Sequence, residues 1–322
     1  MRILIIGRDH GGKMSPFVAE QTAALQKVGI TAKTYLITGK GVSGYLRNIR
    51  GIRREMSVFR PDIIHAHYGL SGLAANLQRQ VPVITTYHGS DVHRGGWLLQ
   101  LSKIVMRWSA YNIFVSKKLL SQSGYVRANA CVLPCGIDLK TIKEQSRESA
   151  CILLGILKPM VLFSGSFNDQ VKNPELAKAA MKKVPEAELV ELKGYTRQEV
   201  NLLMNAANCL LMTSDREGSP QVVKEAMACG TPIVSVDVGD VKETIGNTEG
   251  CYIAERHADD LAEKIRQALA FNGKTNGRQR IIDLGLSNEH VAKRLTEIYE
   301  DVRRHEMENT PITTSRKRHT SV

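Results

Sequence analysis

Short apolar runs, each followed by a stretch with helical period, succeed one another from residue 2, and the series starts afresh near residue 160. "RILIIG", "AKTYLI", "DIIHAH", "PVITTYH", "YNIFVS" and "ACVLP" read as strands, with helical segments near 15–28, 43–58, 70–79, 97–110 and 116–123. "MVLFSG", "ELVEL", "CLLMTS" and "PIVSVD" repeat the pattern, with helices from Pro174, near 197–207 and from Pro220. Apolar strands separated by helices form parallel sheets covered on both faces. The expectation is an α/β fold of two tandem Rossmann-like doubly wound domains, residues 1–140 and 151–285, joined by the polar segment 138–150. At 322 residues the chain is long enough for two cores. Residues 286–305 read as a helix that can cross back to the first domain, capped by Ser287 and striped by Val291, Leu295, Ile298 and Val302. Residues 306–322, ending in "SRKRHTSV", read as a disordered basic tail.

Charge divides the halves sharply. Residues 1–150 hold 21 Lys and Arg against 8 Asp and Glu, whereas 151–322 hold 23 against 24. The first half is therefore expected to meet an anionic partner. Six cysteines form no Cys-x-x-Cys pair and none carries histidines at zinc spacing, so buried thiols in a reducing compartment are expected and no metal site. No apolar run reaches the roughly 20 residues of a membrane helix. The opening "MRILIIGRDHGG" reads as a first strand rather than a leader, which gives a cytoplasmic expectation.

In doubly wound sheets, ligands bind beyond the carboxyl ends of strands and at helix N-termini. After "CLLMTS" comes "DREGSPQVVKEA", where Ser219 suits a helix cap and Pro220 the first helical position. That helix start suits a phosphate, and Glu217 and Glu225 offer acceptors on either side of it. A nucleotide sugar has hydroxyls flanking a diphosphate in this way. "FSGSFNDQVKN", after the domain's first strand, supplies a glycine turn followed by Lys172 as a second phosphate contact.

"REGSPQVVKEAMACGTPIVSVD" resembles the donor-site signature of the retaining glycosyltransferases of family four: Glu, seven residues, Glu, then a Gly-x-Pro turn into a strand. "RPDIIHAHYG", "PVITTYHGSDV", "YNIFVSKKL" and "VLPCGIDL" resemble that family's other segments, in order, over about residues 1–305. The resemblance implies the GT-B fold, two Rossmann-like domains facing a central cleft. It also implies transfer of a sugar from a UDP- or GDP-linked donor to a hydroxyl of a glycan or lipid-linked acceptor, with anomeric retention, no cofactor and no metal. Glu225 would bind the ribose and Glu217 the donor sugar. Gly218, Ser219, Pro220, Gln221 and Val222 would present the donor-binding loop and helix start. Lys172, beside Ser166 in the phosphate loop, would neutralise the diphosphate, and Gly12 would let acceptor and phosphate approach the backbone. His88 would line the cleft near the reacting sugar. Asp91 would support that loop, and His67 stands on the acceptor side or packs beneath it. His88, Glu217 and Lys172 are thus the catalytic candidates, with electrostatic stabilisation of the leaving diphosphate as the main catalytic effect.

Two positions depart from the family. Ser166 replaces its usual phosphate-loop arginine, leaving Lys13 or Arg216 as substitutes, and Cys135 replaces an asparagine. The helix 44–60 sets Leu46, Ile49, Ile52 and Met56 on one face, with five arginines elsewhere. It either faces the core or docks on an anionic membrane, the latter giving a peripheral location on the inner face of the plasma membrane. A non-catalytic protein of the same fold, binding a nucleotide sugar or an anionic surface, is the alternative. A dinucleotide oxidoreductase fits poorly, because "GRDHGGK" lacks Gly-x-Gly-x-x-Gly and no acidic residue ends the second strand. Nucleic-acid binding is disfavoured despite a pI near 9.4, for want of any recognisable module.

Overall fold

The computed structural model describes residues 1–9, 11–39, 41–93 and 95–309. Its first sheet holds β1 (Arg2–Arg8), β2 (Thr31–Ile37), β3 (Ile63–His67), β4 (Val83–Tyr87), β5 (Tyr111–Phe114) and β6 (Ala130–Val132). The second holds β7 (Met160–Phe163), β8 (Glu188–Glu191), β9 (Cys209–Met212), β10 (Ile233–Val236) and β11 (Cys251–Ala254). Helices in the first half are α1 (Pro16–Lys27), α2 (Gly41–Arg47), α3 (Ile49–Phe59), α4 (Gly69–Asn76), α5 (Ser90–His93), α6 (Gly96–Trp108) and α7 (Lys117–Ser123). Those that follow are α8 (Arg147–Leu154), α9 (Pro174–Met181), α10 (Arg197–Ala206), α11 (Gln221–Ala228), α12 (Val241–Ile245), α13 (Ala258–Ala270), α14 (Gly277–Asp283) and α15 (Asn288–Asn309).

Every strand pairing in both sheets is parallel. Strand order is β2-β1-β3-β4-β5-β6 in one and β11-β10-β9-β7-β8 in the other. Each sheet reverses direction once, between β1 and β3 and between β7 and β9, and the crevices outside those strand ends are where doubly wound sheets take ligands. The first sheet is covered on both faces. Ile3 and Ile5 pack with α1 and α15, while Leu4 and Ile6 pack with α2, α3 and α4. This alternation is the period-2 geometry of a strand.

The two halves are joined where Ile137 and Ser287 run side by side in a parallel bridge, with Ile137 N–H donating to Leu286 O and Asn288 N–H to Ile137 O, each 2.9 Å. Beyond it α15 returns to the first half, burying Val291, Leu295, Ile298, Tyr299 and Val302 against it. Ser287 accepts from His290 N–H, as a cap should. The helix runs to Asn309, four residues past the expected end, and the rest of the expected tail lies outside the described residues. The single helix expected over 43–58 breaks at Asn48, whose side-chain amide donates to Thr38 O and Gly44 O and so competes with helical bonding. Ile52 and Met56 face the core, so only the basic face of α3 remains for a partner. The edge strand β11 is not marked in the sequence, since a four-residue strand with three half-buried positions carries little periodic signal.

Candidate functional site

Lys172 and Glu217 flank the switch point of the second sheet. Lys172 follows β7, ending a short 3-10 turn (Gln170–Lys172), and its stem lies where a Cβ on Gly165 would come within 2.9 Å of it. Glu217 follows β9. The Lys172 ammonium donates to Glu217 Oε1 at 2.6 Å. Thr213 Oγ1 donates to Lys172 O and Asn173 O, at 2.8 and 2.9 Å, fixing the two loops to one another. Arg256 holds the β9 loop from behind through Thr213 O, Ser214 O and Asp215.

The helix start lies one residue later than the cap residues suggest. Pro220, not Ser219, occupies the cap position of α11, and no side chain caps it. Gln221 and Lys224 on α11 reach the segment joining the halves, donating to Gly136 O at 3.1 Å and Cys135 O at 2.8 Å. Burial draws the Lys224 ammonium below its ordinary value and pushes the Asp240 carboxyl up, each charge partly offsetting the other's shift. Glu225, 7 % exposed on the same helix, accepts from Arg197 at 2.5 Å through Oε1. Arg197 also pairs with Glu20 of α1 at 2.7 Å, so one guanidinium bridges the two halves beside the expected ribose site. A cavity of about 180 Å³ lies among Glu20, Arg197, Gln221 and Glu225.

On the facing half, β3 and β4 end in a column of imidazoles. His65 and His67 stack at 4.6 Å between ring centres, and His67 and His88 at 5.2 Å. His67 Nδ1 and His88 Nε2 are 3.0 Å apart, so two neutral rings share one proton between them. His67 is fully buried, with His88 as its ring's hydrogen-bonding neighbour. Asp91 accepts from Gly69 N–H and His88 N–H, at 2.8 and 3.0 Å, and ties the β3 and β4 loops together. Tyr68, whose ring rests 4.6 Å from His88, sits at φ 74° and ψ 147°, a backbone region a non-glycine residue enters only when its surroundings enforce it. Cys135 Sγ lies 3.9 Å from His88 Nδ1, so the residue replacing the family's asparagine reaches the site itself and not merely its loop.

The two halves touch through glycines. His93 Nε2 lies 3.0 Å from Glu217 O, and a Cβ on Gly218 would fall 2.2 Å from His88 O. Glu217, Gly218, His88 and Lys172 thus gather at one place. Gly12, at φ +83°, is exposed beyond β1, and its N–H donates to Asp9 at 2.6 Å. Ser166 is half-buried in the loop after β7, accepting from Asn168 N–H. Lys13 and Arg216 are exposed. Arg197, Glu20, His93 and Lys224 were not foreseen. Arg197 was within reach of the strand-end rule, since it opens a helix directly after β8 behind the capping box of Thr196 and Glu199. A larger cavity, about 870 Å³, opens elsewhere, where Lys274 donates to Asn205 and Cys229 O at the ends of α10 and α11. Among the described residues no cluster could hold a metal ion, and the six cysteines are all free.

Burial holds His65 and His88 down to about 3 and His67 well below its ordinary value, so the column is neutral. His65 is fully enclosed, bonded to Tyr299 OH at 2.6 Å and Thr86 Oγ1 at 2.7 Å. The unfolded chain binds a proton near pH 6.5 that folded His65 refuses, so stability present above that pH is lost as pH falls toward 3. The expected slope is about 1.4 kcal/mol per pH unit from this residue below about pH 5.5. Urea melts from pH 7 to 4 check it: His65→Asn should be less stable at pH 7 yet show the shallower slope. Equal slopes would contradict the assignment.

Two family models match the chain: "Glycosyltransferase Family 4" over residues 10–141 and "Glycosyl transferases group 1" over 161–270. Among curated proteins it is 28% identical over 235 residues to TuaC of Bacillus subtilis, a glycosyltransferase named for teichuronic acid biosynthesis, matching 64% of this chain and 60% of that relative. It is 25% identical over 315 residues to D-inositol 3-phosphate glycosyltransferase of Pseudarthrobacter chlorophenolicus, covering 77% and 74%. Among solved structures, sucrose-phosphate synthase of Thermosynechococcus elongatus superposes with a TM-score of 0.82 at 19% identity, covering 94% of this chain and 99% of that one. Anabaena HepE, solved with UDP, superposes at 0.73 and 14%, covering 94% and 100%. These two likenesses establish the two-sheet GT-B architecture.

Proposed function

We propose that the chain is a group 1 glycosyltransferase, a reading supported by two family models over residues 10–141 and 161–270, and that it moves a hexosyl group from a nucleotide sugar to a hydroxyl of a glycan or lipid-linked acceptor, with retention at the anomeric carbon. The observation that carries this reading is the meeting of Lys172 and Glu217, 2.6 Å apart across the switch point of the second sheet, with His88 of the facing half. Each donor-site glutamate has one oxygen anchored by a cation, Glu217 Oε1 by Lys172 and Glu225 Oε1 by Arg197. Their second oxygens are then oriented to accept from hydroxyls, those of the sugar at Glu217 and of the ribose at Glu225. Orientation of this kind is what a preorganised polar site requires. The Lys172 ammonium takes the diphosphate, and its charge weighs most in the transition state, where the leaving group gains negative charge. The Gly218–Gln221 loop and the start of α11, with Val222, form the wall behind the sugar and phosphates, and Gly12 lets the backbone approach them from the facing half. His88, neutral and half-buried, faces the sugar. No metal is needed when a lysine and backbone N–H groups supply the charge.

Solved HepE complexes hold UDP and UDP-glucose, which favours a UDP-linked donor, and TuaC favours a polysaccharide product. Among the described residues no helix is long and apolar enough to cross a membrane. The proposed contact with the anionic inner face of the plasma membrane is peripheral, through the basic first half. Thermal shift tests the donor site. UDP or GDP at about 100-fold over Kd should stabilise the chain by about 2.7 kcal/mol, several degrees in Tm, with no response to NAD or an oligonucleotide. Glu225→Ala should abolish the shift while the protein stays folded. Indifference to every nucleoside diphosphate would count against the transferase.

A further inference from the structure

The chain has two tryptophans, and both stand exposed on α6, Trp97 at 60% and Trp108 at 40%. Leu101, half-buried, and Ile104, 39% exposed, lie between them. Positions i, i+4, i+7 and i+11 make one apolar stripe about 16 Å long. The opposite face of the helix, Ser102, Val105 and Met106, is buried, so the core already has its share of this helix and the outer stripe is surplus to it. Cations border the stripe. The Arg79 guanidinium lies 4.6 Å over the Trp108 ring, and Arg107 is exposed beside it. Arg53 of α3 donates to Leu77 O, two residues before Arg79, so the basic face of α3 runs on into the α6 stripe.

We propose that α6 is an interfacial anchor whose Trp97–Trp108 stripe enters the headgroup layer of an anionic lipid surface, with the bordering arginines on the lipid phosphates. Tryptophan suits that boundary because it joins a large apolar body to one N–H donor. The excess of 21 cationic over 8 anionic residues in the first half matches a lipid surface better than a neutral protein groove. The inner face of the same helix borders the candidate site. Leu98 and Ser102 wall a cavity of about 230 Å³ with Tyr45, Tyr68 and Asp91, directly beside the His88 loop. A helix that touches lipid on one side and this cavity on the other would deliver a lipid-linked acceptor to His88. The inference rests on the acceptor class proposed above, and it replaces 44–60 as the inserting element, since the apolar face of α3 is in the core.

Because α6 holds every tryptophan in the chain, its intrinsic fluorescence reports this one helix. The full chain is titrated with vesicles of phosphatidylglycerol in phosphatidylcholine, and with phosphatidylcholine alone. The expected result is a shift to shorter wavelength with the anionic vesicles only, quenched by brominated acyl chains and weakened by salt. Trp97→Ser and Trp108→Ser each leave one reporter, and the double variant should partition at least about tenfold more weakly by co-sedimentation. Its thermal shift with UDP should be unchanged, which shows that the fold and donor site survive. An unresponsive spectrum overturns the proposal, as does an equal response to neutral vesicles. A shift that follows protein concentration without lipid also overturns it and identifies self-association. Loss of the UDP response in the parent chain with the vesicle response intact would instead remove the donor reading and leave the anchor standing.

Discussion

Lys172→Ala is expected to lower kcat by about 100- to 1,000-fold while moving Tm little. The ammonium is seated between the loops after β7 and β9, donating to Glu217 Oε1 at 2.6 Å, and Ser166 stands where the family resembled carries an arginine. With that second cation missing, the share of leaving-group charge borne by Lys172 rises. Its worth to stability is a separate matter. The pair keeps 22% and 15% of its side-chain surface in solvent, and an ion pair in that setting contributes about 1 kcal/mol or less. Turnover and melting should therefore respond very differently to the one substitution. Lys172→Arg is no rescue, because the stem passes Gly165 closely and a planar fork does not replace a point charge there. Steady-state turnover with the active nucleotide sugar, beside Tm and UDP affinity, separates the effects. A kcat within threefold of the parent would remove Lys172 from the chemistry and shift attention to Lys13 or Arg216.

Local order was legible because it is carried by period and by strand ends. Ile3–Ile6 and Cys209–Met212 are buried throughout, and such runs read as parallel strands at sight. The rule that ligands gather beyond strand ends directed attention to Lys172, Glu217 and His88, which the structure brings together in the loops after β7, β9 and β4. What stayed hidden were partnerships between distant segments. Arg197 reads as an ordinary first-turn residue behind Thr196, and nothing local indicates that it clasps Glu20 of the other half and Glu225 together. Cys135 looked like a change in loop geometry, although its thiol faces His88. The stripe on 44–60 was visible, but a stripe does not name what covers it, and the packing of Ile52 and Met56 beside Leu4 and Ile6 decided that. The two tryptophans of α6 sat inside a segment that read only as a helix. Two apolar faces on one helix cannot be separated until the buried one is known.

Gly218→Ala is expected to cut turnover about 100-fold or more with only a modest loss of nucleotide affinity. A Cβ there would stand 2.2 Å from His88 O and 2.9 Å from its carbonyl carbon, distances at which backbone must move. Gly218 does not need a left-handed conformation, so the cost is one of approach and not of φ. Neither neighbour yields easily. His88 is held through its N–H to Asp91, which also accepts from Gly69, and Glu217 O meets His93 at 3.0 Å. Gly239 closes the far side, where its own Cβ would come 2.9 Å from Gly218 O. The added methyl must therefore push the Glu217 loop away from the His88 loop, and a displacement of about 1 Å at reacting groups is enough for a 100-fold loss. Overpacking of this kind also costs about 1–3 kcal/mol of stability. The proposed nucleotide contacts, Glu225 and Lys172, are side chains of the second half and should largely survive, although the Glu225 cavity also borders Glu20 of the first half, so UDP affinity changing less than about fivefold with kcat collapsed would mark a defect in bringing the halves together. Turnover near that of the parent would mean that His88 and Glu217 do not act on the same sugar.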